Sequence, residues 1–168
     1  MKALTHVSAG MLTGIAFISC CSLDANSSVM VIAGSCIGSL LPDIDICTSK
    51  VGRIVQPASF LVQLIFGHRN MFHSPLPYTL FFFGYIYAFL QSSWPAPWLM
   101  NAIGLLFGSF SHLLLDMLNP AGIPLFWPFV LRRISLAPFK SGGIVDYCLC
   151  LILSCLTCYF SLQLIGLF

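Results

Sequence analysis

LMNAIGLLFGSFSHLLLDML, residues 99–118, is almost wholly apolar. At 1.5 Å per residue a helix of that length covers about 30 Å, the thickness of a bilayer's hydrocarbon core. Its ionisable groups, His112 and Asp116, stand at i and i+4 and so share one helix face. A span holds an imidazole and a carboxylate only at a cost, which marks the pair as a functional candidate.

The rest of the chain has the same character. Of 168 residues, 58% are hydrophobic and 7% charged, and the mean hydropathy is +0.96. A soluble domain carries about 25% charged residues. Such a composition excludes an ordinary cytosolic enzyme, a disordered chain and a nucleic-acid binder with a dense basic face. It points to an all-α polytopic transmembrane bundle, one domain over residues 1–168. Further apolar segments run over about 3–21, 29–41, 76–91 and 144–164, making about five spans with 99–118. Residues 55–66 are apolar but too short to cross, and read as a re-entrant or interfacial helix. The first segment opens like a signal peptide. Thr5 and His6 interrupt it and no clear small-residue cleavage site follows, so it is read as a retained span.

Threading five spans places Lys2, Lys50, Arg53, Arg69, Arg132, Arg133 and Lys140 on one side. The opposite loops, 22–28 and 92–97, contain no Lys or Arg. The positive-inside rule then puts the N-terminus in the cytoplasm and the C-terminus on the far side of the membrane. The same threading brings His6, Asp43, Asp45, His68, His73, His112, Asp116 and Asp146 to the cytoplasmic face, leaving Asp24 elsewhere. The eight cysteines lie mostly in apolar runs and read as buried, reduced thiols. Cys155 and Cys158 form a CxxC with no second pair at zinc-site spacing.

Asp43 and Asp45, in PDID, cannot both be buried, charged and unpaired; they call for cations. HRNMFHS, residues 68–74, adds two imidazoles flanking an arginine. Nitrogen and oxygen donors in this mix suit Zn²⁺, and also Mn²⁺ or Fe²⁺, at one or two ions per chain. The expected ligands are Asp43, Asp45, His68, His112 and Asp116, with His6 and His73 as further ligands or bases. Arg69 among such ligands suits an anionic substrate or a developing oxyanion. There is no GxSxG and no P-loop. The expected activity is hydrolysis by a metal-activated water, on a phosphoester or lipid-linked substrate reached from the bilayer. No nucleic-acid partner is expected. Two other classes stay open: a transporter or ion-handling protein, and a non-catalytic membrane scaffold with a structural metal site.

The order of motifs is an N-terminal His, LPDID, HRxxxHS, then SHxxxD followed by NPxG and a Trp-Pro. This resembles the YdjM-type family of membrane-bound metal-dependent hydrolases, also described as LexA-binding and inner-membrane-associated. The resemblance runs from His6 to about Asp146. It implies a polytopic inner-membrane protein with a metal-hydrolase site, and maps onto His6, Asp43, Asp45, His68, Arg69, His73, Ser74, His112, Asp116, Asn119, Pro120 and Gly122. The family pattern has Gly after HR and a Thr or similar residue before HS, where this chain has Asn70 and Phe72. A family glutamate near the start of the last helix is replaced by Asp146. More loosely, the order of His, Asp, His and a helical HxxxD is similar to the zinc-dependent phospholipase C and nuclease group.

Overall fold

A computed structural model of the chain describes residues 1–47, 49–66, 70–137 and 139–166. Its helices are α1 (Ala3–Cys20), α2 (Ala25–Gly38), α3 (Lys50–Ile54), α4 (Gln56–Phe66), α5 (Pro75–Leu90), α6 (Pro97–Met117) and α7 (Ile144–Leu164). Short 3₁₀ turns cover Leu41–Asp45 and Met71–His73. No strand occurs among the described residues; one isolated bridge pairs Ile123 with Ile134. The all-α transmembrane bundle expected from composition is the fold observed.

Four stretches are long and apolar enough to cross a membrane: Ala3–Cys20, Ala25–Asp45, Pro97–Met117 and Ile144–Leu164. The second extends beyond the 29–41 segment read from hydropathy, because α2 continues into the 3₁₀ turn at its end. α5 is shorter, at 16 residues. It starts beside the end of α6 and runs antiparallel to it, Pro75 lying near Met117 and Tyr85 Oη donating to Trp98 O at 3.2 Å. The apolar segment 55–66 appears as α4, whose Phe60, Leu61 and Leu64 are exposed. Helix starts follow from local chemistry. Asp24 caps α2 by accepting hydrogen bonds from the amides of Asn26 (3.1 Å) and Ser27 (3.3 Å). Prolines open α5 and α6, where their missing N–H costs nothing.

Glycine sets how closely the central helices approach. α1, α2 and α6 each carry GxxxG: Gly10 and Gly14, Gly34 and Gly38, Gly104 and Gly108. A methyl on Gly34 or Gly38 would strike the backbone of Asn101 or Leu105, and one on Gly104 or Gly108 the backbone of Val31 or Ser35. A methyl on Gly10 would meet Ser35 O and Ser39 Cβ, each at 2.6 Å. With no hydrophobic drive between helices in lipid, such close backbone packing is a principal source of association. Serine hydroxyls add polar contacts, as Ser109 Oγ donates to Gly38 O at 3.1 Å.

α7 packs on α1 through Ser8 and Ser154 (3.0 Å between hydroxyls) and through Thr157 Oγ1, which donates to Ser8 O at 3.3 Å. A second core, of Tyr78, Leu113, Met117 and Ile123, lies under the loop after α6. That loop closes the end of α6: Leu136 N donates to Met117 O (2.7 Å) and Phe139 N to Leu118 O (3.2 Å). Leu80, Phe83 and Tyr87 on α5, with Leu151 and Ile152 on α7, are more than half exposed. An apolar outer belt of this kind belongs in lipid.

All eight cysteines are free, as expected, but they are not buried: Cys20, Cys148, Cys155 and Cys158 are exposed and the other four are half-buried. Cys20, Cys148, Cys155 and Cys158 sit on outward helix faces, where a small apolar side chain is suited to lipid.

Candidate metal centre

α1 begins, α2 ends, α5 begins and α6 ends at one end of the bundle. That antiparallel order delivers His6, Asp43, Asp45, His73, His112 and Asp116 to one place. His73, His112 and Asp45 are fully buried there, His6 and Asp116 nearly so, and Asp43 retains 14% exposure.

The 3₁₀ turn explains how one short segment supplies both of its aspartates. Residues two apart point about 120° from each other at 3.0 residues per turn, against about 160° in an α-helix. Asp43 thus reaches His112, with Oδ1 3.8 Å from Nε2, and Asp45 reaches His73, with Oδ2 3.5 Å from Nδ1.

Asp116 is the hub. Its Oδ1 lies 3.4 Å from His6 Nε2, and its Oδ2 lies 3.5 Å from His73 Nε2 and 3.8 Å from His112 Nε2. The Met1 ammonium also donates to Asp116 Oδ1, at 3.1 Å. The His6 and His112 rings stack with centroids 3.7 Å apart. His112 Nδ1 lies 2.7 Å from Ser39 O. A carbonyl only accepts, so Nδ1 carries the proton and Nε2 presents its lone pair to the centre. His73, outside the spans, is held above the ordinary imidazole range: burial opposes its charged form, but the Asp116 and Asp45 carboxylates outweigh that.

Five buried ring nitrogens, both of His6, both of His73 and Nε2 of His112, make no hydrogen bond among the described residues. Buried polar atoms are normally satisfied, yet four of these five face a carboxylate oxygen only at 3.4–3.8 Å, too long for a good hydrogen bond and suited to donors that share a cation. A tetrahedral ion with bonds of about 2.1 Å holds its ligands about 3.4 Å apart. The spacings of 3.4, 3.5 and 3.8 Å among these donors are close to that. Two donor triads have every ligand atom within 4.8 Å of the others: His6, His112 and Asp116, and Asp43, His73 and His112. The residues fit a divalent ion.

Of the residues singled out from sequence, His6 and His73 thus stand inside the donor sets. Asp45 adjoins His73. His68 and Arg69 lie outside the described residues. Asp146 stands apart from the donor sets: it accepts from Thr5 Oγ1 (2.7 Å), Lys2 N (3.1 Å) and Gly142 N (2.7 Å), and so ties the start of α7 to the start of α1. Ser74 Oγ donates to Met71 O at 3.0 Å, within its own turn. Asn119 organises the loop after α6, with Nδ2 donating to Ser141 Oγ (2.6 Å) and Oδ1 accepting from Ala121 N (3.2 Å). Gly122 has φ +59, and a Cβ there would meet Ile134 O at 2.6 Å. The NPxG motif is therefore structural here. Sequence reasoning missed Ser39, whose contribution is a backbone carbonyl with no residue-type signal.

A bundle of apolar helices with buried His and Asp gathered at one end defines the chain as a polytopic membrane protein with a candidate metal centre. It belongs to the YdjM inner membrane protein family, whose profile matches residues 1–166. It is 30% identical to the uncharacterized protein YvsG of Bacillus subtilis (strain 168) over 160 residues, 95% of this chain and 94% of that protein. It is 32% identical to the inner membrane protein YdjM of Escherichia coli (strain K12) over 130 residues, 73% of this chain and 62% of that protein. The YdjM protein of Shigella flexneri matches to the same extent. The match thus spans less than two thirds of the YdjM proteins' own length. No solved structure matches the chain. The family and the apolar helices together make it a multi-pass inner-membrane protein.

Proposed function

We propose that the chain is a metal-dependent hydrolase of the inner membrane acting on a phosphoester or lipid-linked substrate. The observation that carries this reading is the set of orphaned imidazole nitrogens around Asp116. His6, His112 and Asp116 would hold one ion; Asp43, His73 and His112 form the other donor set, with Asp45 beside His73, and the two sets share His112. His112 Nε2 has a single lone pair and serves one ion. Asp116 presents its two oxygens to different imidazoles, Oδ1 to His6 and Oδ2 to His73. Mixed nitrogen and carboxylate donors favour Zn²⁺, with Mn²⁺ or Fe²⁺ as alternatives.

Such an ion, when bound, supplies Lewis acidity and lowers the pKa of a bound water. The chain's own residues supply the rest. The Ser39 carbonyl fixes the His112 tautomer. The buried carboxylates offset the ion's charge. Arg69, placed by sequence between His68 and His73, would hold the substrate's anionic group through its planar fork. The basic residues Lys2, Arg132, Arg133 and Lys140 belong to the site's end of the bundle, and the loops 22–28 and 92–97 carry none. This supports a site at the cytoplasmic face, with the N-terminus inside and the C-terminus outside.

The test is metal analysis of detergent-purified protein, followed by turnover of a generic phosphodiester and phosphomonoester. One or two equivalents of zinc with hydrolysis lost on chelation is the expected result. A metal-free, correctly folded wild type would refute the reading.

A further inference from the structure

The loop between α6 and α7 holds a groove of about 460 Å³ lined by Arg132, Arg133, Ile134 and Ser135, with Phe126 and Val130 on its wall. Both arginines are exposed. The segment before them is apolar and projects outward: Phe126, Phe129 and Leu131 are 57%, 87% and 69% exposed. Close by is a second opening, a cleft of about 220 Å³ whose lining, including Phe110, Leu113, Leu114 and Met117, is entirely apolar.

The two are joined. Ile123 lines the cleft, Ile134 lines the groove, and the pair exchange backbone hydrogen bonds of 3.1 and 2.8 Å. Both also border the metal centre. Arg133 Nη2 donates to Asn70 Oδ1 at 3.4 Å, and Asn70 adjoins the Met71–His73 turn. The cleft is bounded by Met117, next to Asp116, and by Pro75, two residues after His73.

We propose that one anionic phospholipid of the bilayer is seated here, its phosphate on Arg132 and Arg133 and an acyl chain in the apolar cleft. The occupant follows from the combination. Two guanidinium groups lining one groove suit a phosphate, which accepts their forked donors. An apolar cleft beside them suits a chain covalently joined to that phosphate. A free phosphate would leave the cleft unfilled. The protruding phenylalanines place the loop where headgroup and chain meet. The further step, that the seated lipid is the substrate entering sideways from the membrane, rests on the hydrolase reading.

The experiment reconstitutes wild type, Arg132→Gln/Arg133→Gln and Leu114→Trp into nanodiscs of phosphatidylglycerol or phosphatidylcholine. Lipid retained after extraction is read by native mass spectrometry, with metal content measured on the same samples. Wild type should retain phosphatidylglycerol in preference to phosphatidylcholine. The double variant should lose that preference by about tenfold or more, the scale of two cations near an anionic headgroup. Leu114→Trp, which narrows the cleft from an exposed position, should lower retention of both lipids. Equal retention by wild type and the double variant would overturn the proposal. So would displacement of the lipid by millimolar glycerol 1-phosphate, which has the phosphate but no chain. Selective retention of phosphatidylglycerol by metal-free wild type would support the seat and remove the hydrolase reading.

Discussion

Replacing Gly108 by alanine tests the packing that aims the centre. The new Cβ would lie 2.8 Å from both the Ser35 carbonyl carbon and Ser39 N, and closer still to Ser35 O. Carbon contacts are comfortable at about 3.5–4.0 Å, so α2 and α6 must part by about 1 Å. Backbone, unlike a side-chain tip, cannot rotate away. Overpacking of this kind costs about 1–3 kcal/mol, and alanine's better helix propensity returns about 0.5–1 kcal/mol. The net loss should be about 0–2.5 kcal/mol, and about 1–3 kcal/mol relative to a glycine whose added methyl meets nothing, read as equilibrium unfolding in mixed dodecyl sulfate micelles. Gly84→Ala is the matched control: nothing lies within 4 Å of its added Cβ, so it should be neutral or slightly stabilising. The effect should reach the metal, because Ser39 O accepts from His112 Nδ1. Misplacing a partner of a ligating imidazole typically lowers metal affinity about 10–100-fold. If Gly108→Ala unfolds at the same dodecyl sulfate fraction as Gly84→Ala, the close-packing argument is wrong.

His112→Ala and Asp116→Asn should each lower bound zinc measured by inductively coupled plasma spectrometry; full metal retention in both would end the assignment. Arg69→Lys should keep fold and metal yet slow phosphoester hydrolysis by about tenfold to a thousandfold, as for one lost oxyanion contact; wild-type turnover would reject Arg69 as a substrate-binding residue. Asp146→Ala should cost about 1–3 kcal/mol by orphaning the donors of Thr5, Lys2 and Gly142 while leaving zinc content unchanged; loss of zinc in a folded variant would make Asp146 a ligand after all. A reporter active only in the cytoplasm, fused at the C-terminal end, should be silent; a strong signal would overturn the five-crossing orientation.

The parts of the site legible in the sequence were those written within one element. HxxxD on α6 and the paired aspartates of PDID needed only helical spacing and the cost of burying charge. Alternation of spans then placed His6 and His73 beside them. Threading also put Asp146 at that end of the bundle, but its tie to α1 was not legible, because its partners Thr5 and Lys2 stand 141 and 144 residues away and no local pattern records them. Residues 41–45 read as the end of a span, while their 3₁₀ winding, which turns Asp43 toward His112 and Asp45 toward His73, leaves no mark in hydropathy. The three GxxxG repeats were present in the sequence as plain spacing. Their meaning emerges only when each glycine is seen against a neighbour's backbone. The thiols read as buried because hydropathy does not distinguish a core from a lipid-facing surface.

The peripheral position of α7 bears on how the protein is made. All six gathered donors lie between His6 and Asp116, and α7 meets the bundle mainly along α1. Synthesis therefore finishes the whole constellation of imidazoles and carboxylates while the last membrane segment is still unmade. The final helix arrives as a late clamp, fastened by Asp146 at one end and by Ser154 and Thr157 along its length. A chain ending after residue 143 would keep every one of these six side chains, so comparing its metal content with that of the full chain asks whether the clamp is needed for the centre at all.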